Sequence, residues 1–300
     1  MRRIRAFIKL GRPKFLVGGF VLYGLGAALA VRGGAAFDLG RFLWGQLIVT
    51  VAQLMTHYAN DYFDLAADNA NRTPTRFSGG SRVLVGRTLP PAVALVAAYV
   101  LLLVAVCAAV MLGRRTGPQA LLIALVMIGL AWGYSAPPLR LCARGLGELT
   151  TALVVTMLVP ACGYVLQAHR LAAPILLAAA LPSALQFAML LAIEFPDAAG
   201  DAATGKRTLV VRMGAPAAAR LYAVVTIGAF GALPFFACAG LPALVAAAPA
   251  LLVPVAVWQA LRVAGGAYGD PARWESVAFW SVALLIASAG AELLATIAGG

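Results

Sequence analysis

Acid is scarce in this chain. Of its 300 residues only eleven are Asp or Glu, only two are His, and charged residues of both signs make up 11%. So little charge cannot clothe a water-soluble domain of this length. The hydrophobic share of 62% and mean hydropathy of +0.91 place the chain in a bilayer instead. Alternating polar and apolar positions are lacking as well. The hydrophobic runs are continuous, which excludes a membrane β-barrel. Cysteine is sparse, and Cys107, Cys142, Cys162 and Cys238 have neither metal-ligand spacing nor a disulfide framework. They read as small packing residues.

What is present is a succession of apolar runs, at 15–31, 42–58, 91–112, 119–134, 149–167, 174–193, 217–239, 242–262 and 277–298. Each approaches the ~20 residues of a helical crossing. The expectation is an all-α integral membrane protein, a single domain over 1–300 with about nine transmembrane helices. The basic head followed by an apolar run and Ala28-Leu29-Ala30 imitates a signal peptide. Pro13 and Lys14 interrupt the approach, and the segment is kept as the first helix. With the N-terminus on the cytoplasmic side, eighteen basic residues fall inside and five outside: Arg32, Arg41, Arg114, Arg115 and Arg170. That bias predicts a multi-pass cell-membrane protein with cytoplasmic N-terminus. The net charge of +12 reads as orientation and attraction for an anionic substrate, not as nucleic-acid binding. No protein partner is implied; the partners expected are membrane lipid and small molecules.

The little acid there is lies in two windows. NDYFDLAAD ends one apolar run at Asn60–Asp68, and EFPDAAGD ends another at Glu194–Asp201. Asn60 or Asp61, then Asp64 and Asp68, fall at three- or four-residue steps and share one helix face. Gln53 and His57 continue that stripe backwards. Glu194, Asp197 and Asp201 repeat the spacing, with Gln186 two turns earlier. Carboxylates gathered at membrane depth repel one another unless a cation lies between them. Two facing stripes therefore point to a divalent ion, and the hard ion that carboxylates share with phosphates is Mg²⁺. The plainer reading makes each window a solvated helix end.

Basic loops follow each window. In NRTPTRFSGGSRVLVGRTLPP, Ser78-Gly79-Gly80-Ser81 can present bare amides to phosphate, with Arg72, Arg76, Arg82 and Arg87 around them. A flexible linker carrying ordinary cytoplasmic arginines is the alternative. YSAPPLRLCARGLGE carries Tyr134, Arg140, Arg144 and Glu148, and Pro137-Pro138 stiffens it. Glu148 serves equally well as a helix-start carboxylate. ATGKRTLVVRMG supplies Lys206, Arg207 and Arg212; cations beside acid suit a polyanion bridging the two, and a purely topogenic role also accounts for them.

NDYFDLAAD, FSGGSRVL, YSAPPLRL with GLGE, and EFPDAAGD running into GKRTLVVRMG together resemble the UbiA superfamily of intramembrane prenyltransferases. The likeness spans RPKF at Arg12 to Arg212. It implies a nine-helix bundle around a central cavity, capped by the motif loops and open sideways to lipid. It also implies Mg²⁺ bridging the aspartate motifs and a prenyl diphosphate. By motif position Asn60, Asp61, Asp64 and Asp68 form the first half of that site, and Asp197 and Asp201 the second. The family often has asparagine where this chain has Ile193, so Glu194 joins the metal set. Catalysis is assigned to Asp64, Asp197, Asp201 and Lys206. Substrate binding is assigned to Asn60, Arg72, Arg82, Tyr134, Arg140, Arg207 and His57. The wording DYFD, FSGGSRVL and GKRTLVVR is most similar to the branch that prenylates 1,4-dihydroxy-2-naphthoate for menaquinone; 4-hydroxybenzoate or another quinone or lipid acceptor is the alternative.

The chemistry these residues support is ionisation of an allylic diphosphate, shielding of the cation from water, and attack by an electron-rich aromatic ring. His57 can serve as base or acceptor contact, or simply pack. Three rivals differ in what they need. A transporter also places carboxylates in membrane helices, but does not need glycine- and arginine-bearing loops beside both windows. A structural protein needs neither window. A soluble isoprenoid synthase needs polar outer helix faces that this chain lacks.

Overall fold

A computed structural model describes residues 2–299, and helices make up its regular structure with no strand among the described residues. Helix α1 (Arg2–Leu10) precedes the bundle and joins α2 (Leu16–Arg32) through a 3₁₀ turn at Pro13–Phe15. Next come α3 (Leu39–Phe63), the short α4 (Leu65–Ala70), α5 (Pro91–Thr116) and α6 (Pro118–Gly133). α7 (Gly147–Thr151), a π-helical stretch (Ala152–Leu158) and α8 (Val159–Ala168) form one rod, followed by α9 (Ala173–Glu194). Two short helices, α10 (Ala198–Ala203) and α11 (Leu209–Met213), lead to α12 (Ala215–Gly231) and α13 (Leu233–Cys238). The chain ends with α14 (Ala243–Ala247), α15 (Val253–Ala264) and α16 (Trp274–Ala298).

All nine apolar runs lie on helical rods, and six rods are long and apolar enough to cross a membrane by length and composition. The other three depart for visible reasons. α6 and α12 are shorter, and α3 carries Gln46, Gln53 and His57 along an otherwise apolar length. Run 217–239 breaks between α12 and α13, and run 242–262 passes through a 3₁₀ turn at Ala248–Leu252. In each case a proline (Pro234, Pro249, Pro254) starts a new segment, where its missing N–H is tolerated.

Without water to drive helices together, membrane packing relies on close van der Waals contact through small residues. α2 and α8 show this best. A Cβ on Gly26 would stand 1.9 Å from the Pro160 carbonyl oxygen, and one on Gly163 would stand 2.3 Å from the Tyr23 carbonyl oxygen. Two glycines thus let the backbones touch from both sides. The π-helical stretch sits just ahead of Pro160, whose ring cannot supply the usual backbone donor. Val154 and Val155 of that stretch face the interior cavity.

Candidate active site

The two acidic motifs end two helices at the same level of the bundle. α3 stops at Phe63, Asp64 stands at the junction, and α4 continues almost in line: Asp64 N–H bonds to the Asn60 carbonyl and Asp68 N–H to the Asp64 carbonyl, both at 2.9 Å. The helical step is preserved, so Asn60, Asp64 and Asp68 keep one face, and all three line a cavity of about 280 Å³. α9 and α10 repeat the device. Asp197 N–H bonds to the Glu194 carbonyl at 3.0 Å and Asp201 N–H to the Asp197 carbonyl at 2.9 Å. Glu194, Asp197 and Asp201 line the same cavity from the other side. α4 and α10 pack side by side because residue 200 is glycine: a Cβ there would lie 2.9 Å from the Asn71 nitrogen.

Contacts across the gap are specific. Lys206 Nζ lies 2.9 Å from Asp64 Oδ2 and 3.4 Å from Asp201 Oδ1, joining the motifs through one cation. Asn71 Nδ2 donates to Asp197 Oδ1 at 2.6 Å, and Gly79 N–H donates to Asp197 Oδ2 at 3.1 Å. The loop after the first motif is thereby tied to the second. Gly79 and Gly80 both have φ of +72°, and a Cβ on Gly80 would come within 1.9 Å of Asp68 Oδ2. Only glycine lets the loop approach that carboxylate. Asn60 Nδ2 donates to Asp64 Oδ2 at 2.8 Å and to Ser135 Oγ at 3.1 Å.

Asp61 is the odd member. It is 2% exposed, contacts the Arg12 guanidinium and the Ser81 hydroxyl, accepts from Ser81 N–H at 3.3 Å, and is not among the cavity-lining residues. The open choice between Asn60 and Asp61 for the inward stripe resolves to Asn60, because Asp61 points a quarter-turn away and holds α3 to the Arg12 and Ser81 segments.

Of the residues assigned to substrate, Asn60, Tyr134 and His57 line the cavity. His57 packs against Phe15 with ring centroids 6.0 Å apart. Arg72, Arg140 and Arg207 are exposed and do not line it. Arg82 donates to the Asp68 carbonyl at 2.5 Å and faces a neighbouring cleft. Ile193 lines the cavity as an apolar wall, so no side chain there replaces the family's asparagine amide. Arg12 and Lys14 line the cavity too, although in the sequence they served only to set orientation. The signal was RPKF itself, whose arginine takes φ of +45° at the start of the 3₁₀ turn. Glu148 accepts from Leu209 N–H at 3.0 Å, anchoring the segment that carries Lys206.

The donor set suits a hard cation. Among the described residues no three carboxylate, imidazole or thiol side chains converge tightly enough to hold an ion alone. The oxygens nevertheless lack compensation: Glu194 Oε2 and Asp201 Oδ2 are buried without a hydrogen-bond partner. Burial pushes the Asp68 carboxyl up to about 7 and the Asp201 carboxyl up to about 6. Burial raises Asp197 also, against the Gly79 N–H. For Lys206 burial works the other way, but Asp64 and Asp201 outweigh it and hold the ammonium well above its ordinary value. Oxygen ligands on two opposed faces, with spare lone pairs and too little positive charge, fit a Mg²⁺ ion that shares its coordination with a polyanion. Below this polar mouth the wall is apolar, with Leu22, Met127, Val154, Met189, Leu285 and Ile286 among its side chains.

Comparison with known proteins accords with this geometry. The profile of the UbiA prenyltransferase family matches residues 20–288. No curated protein sequence gives a significant match. Among solved structures, a digeranylgeranylglyceryl phosphate synthase superposes with a TM-score of 0.68 at 15% identity, covering 99% of this chain and 100% of that one. A UbiA homologue from Archaeoglobus fulgidus, bound to GPP and Mg²⁺, has a TM-score of 0.66 at 15% identity, over 98% and 99%. The apo UbiA homologue from Aeropyrum pernix K1 has 0.65 at 17% identity, over 91% and 97%. At such identities the structural likeness speaks to fold.

Proposed function

The chain belongs to the UbiA prenyltransferase family, and from that premise we propose that it transfers an isoprenyl group from a prenyl diphosphate to an aromatic acceptor, with 1,4-dihydroxy-2-naphthoate as the acceptor. One observation carries the reading. Two acidic stripes from α3–α4 and α9–α10 meet at the mouth of one apolar cavity, with Lys206 between Asp64 and Asp201.

Asn60, Asp64, Asp68, Glu194, Asp197 and Asp201 would hold Mg²⁺. When bound, the metal supplies positive charge to the diphosphate oxygens and so favours their departure. Lys206 and Arg12 stand at the same mouth as fixed cations and stabilise the charge that develops there. The Gly79 amide orients Asp197, and the Gly80 backbone brings the loop against Asp68. The apolar wall below takes the isoprenyl tail and keeps water from the allylic cation, so that a carbon of the acceptor ring captures it instead and the ring regains aromaticity by giving up its proton to a base. His57 and Tyr134 line the same cavity, where they can orient an acceptor hydroxyl. The wording of DYFD, FSGGSRVL and GKRTLVVR supports the naphthoate acceptor.

Both motifs are assigned to the cytoplasmic face on the charge bias. Reporters fused after Arg76 and after Lys206 are expected inside, and one after Arg115 outside. The deciding assay incubates purified protein with labelled prenyl diphosphates, Mg²⁺ and a panel holding the dihydroxynaphthoate, 4-hydroxybenzoate and lipid alcohols. Mg²⁺-dependent label on the naphthoate is the expected result; label on another acceptor alone removes the branch assignment, and no transfer to any removes the activity.

A further inference from the structure

Beside the cavity lies a second cleft of about 530 Å³, between α1 and the segment 75–82. Its chemistry is the reverse of the carboxylate mouth. Arg5, Lys9, Arg12, Lys14, Arg76 and Arg82 line it, and no carboxylate does. Arg12 is paired with Asp61, and Arg76 with Glu275 at 3.0 Å. Among the described residues Arg5, Lys9, Lys14 and Arg82 form no ion pair. Lys14 donates to the Arg76 carbonyl and Arg82 to that of Asp68. A carbonyl satisfies a donor but leaves its charge in place. Four cations without a carboxylate partner thus line one cleft, and although water screens the exposed Arg5, Lys9 and Lys14, together they favour an anion there.

The cleft is also apolar along one edge. On α1, Ala6 and Leu10 are buried, and Tyr58 Oη donates to the Phe7 carbonyl at 2.8 Å, which seats the helix on α3. Arg5 and Lys9, one turn apart, point into the cleft, while Ile4 and Ile8 beside them stay 66% and 56% exposed. Phe15 and Phe77 bracket the Lys14 ammonium at 4.9 and 4.7 Å and line both cleft and cavity. Cations beside exposed isoleucines, on a helix packed by one face against α3, match a ligand that is anionic at one end and apolar at the other.

We propose that this cleft is a second anion site, outside the carboxylate cavity and bordering it, for a phosphate group carried on an apolar tail. Two molecules have that chemistry: an anionic phospholipid of the surrounding leaflet, and a prenyl diphosphate on its way to the cavity. Only the second source rests on the activity proposed above.

The test uses the full chain in nanodiscs of phosphatidylcholine containing a minor share of phosphatidylglycerol, with retained lipid read by native mass spectrometry. Two variants carry equal charge loss: R5Q/K9Q inside the cleft and R2Q/R3Q on the same helix outside it. Wild type and R2Q/R3Q are expected to retain phosphatidylglycerol, and R5Q/K9Q about 25-fold less, since each of the two basic groups facing the anionic headgroup contributes about a fivefold factor. A parallel arm in pure phosphatidylcholine measures KM for the prenyl diphosphate. A raised KM with unchanged kcat in R5Q/K9Q assigns the cleft to the incoming donor; an unchanged KM with lost phosphatidylglycerol assigns it to phospholipid. The proposal is overturned when R5Q/K9Q matches wild type in both arms, or when R2Q/R3Q loses as much phosphatidylglycerol as R5Q/K9Q. A protein inactive with every prenyl diphosphate leaves the lipid arm intact, so the two readings fail separately.

Discussion

Lys206 Nζ lies 2.9 Å from Asp64 Oδ2, linking a residue that follows α10 to the end of α3 across 142 positions of sequence. The same ammonium reaches Asp201. It compensates both motifs at once, and its removal leaves two buried carboxylates facing each other.

Lys206→Met is therefore expected to lower stability by about 3–5 kcal/mol, the range for breaking a buried ion pair from one side. Added Mg²⁺ should recover part of the loss, because it restores positive charge between the same oxygens. Prenyl-diphosphate turnover should fall about ten- to hundredfold, as for loss of a charged hydrogen bond, with acceptor KM unchanged. Thermal unfolding with and without Mg²⁺, alongside two-substrate kinetics, checks both parts; a raised acceptor KM alone would put the diphosphate elsewhere.

Asp64→Ala and Asp197→Ala should each abolish turnover while the protein still inserts in the membrane. Each removes a carboxylate from one wall of the cavity, and Asp197 also anchors the loop through Asn71 and Gly79. Normal product formation by either variant at equal membrane abundance counts against a site shared between the motifs.

Gly80→Ala tests the loop's approach to Asp68. The added methyl meets Asp68 Oδ2 and forces alanine into φ of +72°, which costs roughly 1–3 kcal/mol in strain. Activity should drop at least tenfold, whereas Gly205→Ala has only its positive φ to contend with and no neighbour within 4 Å. Equal activity in the two variants would show that contact with Asp68 is immaterial.

Exposed arginines should matter little. Arg72→Gln, Arg140→Gln and Arg207→Gln are expected to change kcat/KM less than about threefold, within the small range of surface substitutions. Arg12→Gln, which leaves Asp61 buried without its cation, should lower both stability and diphosphate use. Kinetics of the four variants at matched expression decides this.

The carboxyls of Asp68 and Asp201, raised by burial to about 7 and about 6, bind more protons folded than unfolded. Their contribution favours the metal-free fold at low pH and is lost as pH rises from about 4 through 7. Mg²⁺ needs the ionised forms, so its stabilising effect should grow over the same interval and be largest above pH 7. Melting temperatures across that range, with Mg²⁺ and with chelator, give the answer; an Mg²⁺ increment independent of pH would dissociate these carboxyls from the metal.

How much of this was legible in the chain follows from which forces are local. Continuous apolar runs determine helices in lipid, since backbone donors and acceptors have no other partner there. The three- and four-residue steps of Asn60, Asp64 and Asp68, and of Glu194, Asp197 and Asp201, determine shared faces because helix geometry does. Sequence alone therefore established an all-helical membrane protein with two acidic stripes. Apart from Lys206, which the resemblance assigned to catalysis, it could not rank the cations: all the arginines near the motifs look alike as text. Tertiary structure put Arg12 and Lys206 at the cavity and left Arg72, Arg140 and Arg207 outside, because those positions depend on how the loops fold back over the helix ends. It also turned Asp61 away from the stripe, by pairing it with Arg12 and Ser81, and made α1 a separate helix beside a basic cleft. Charge count is a property of the chain, but which charges face each other is decided only when residues more than a hundred positions apart are packed together.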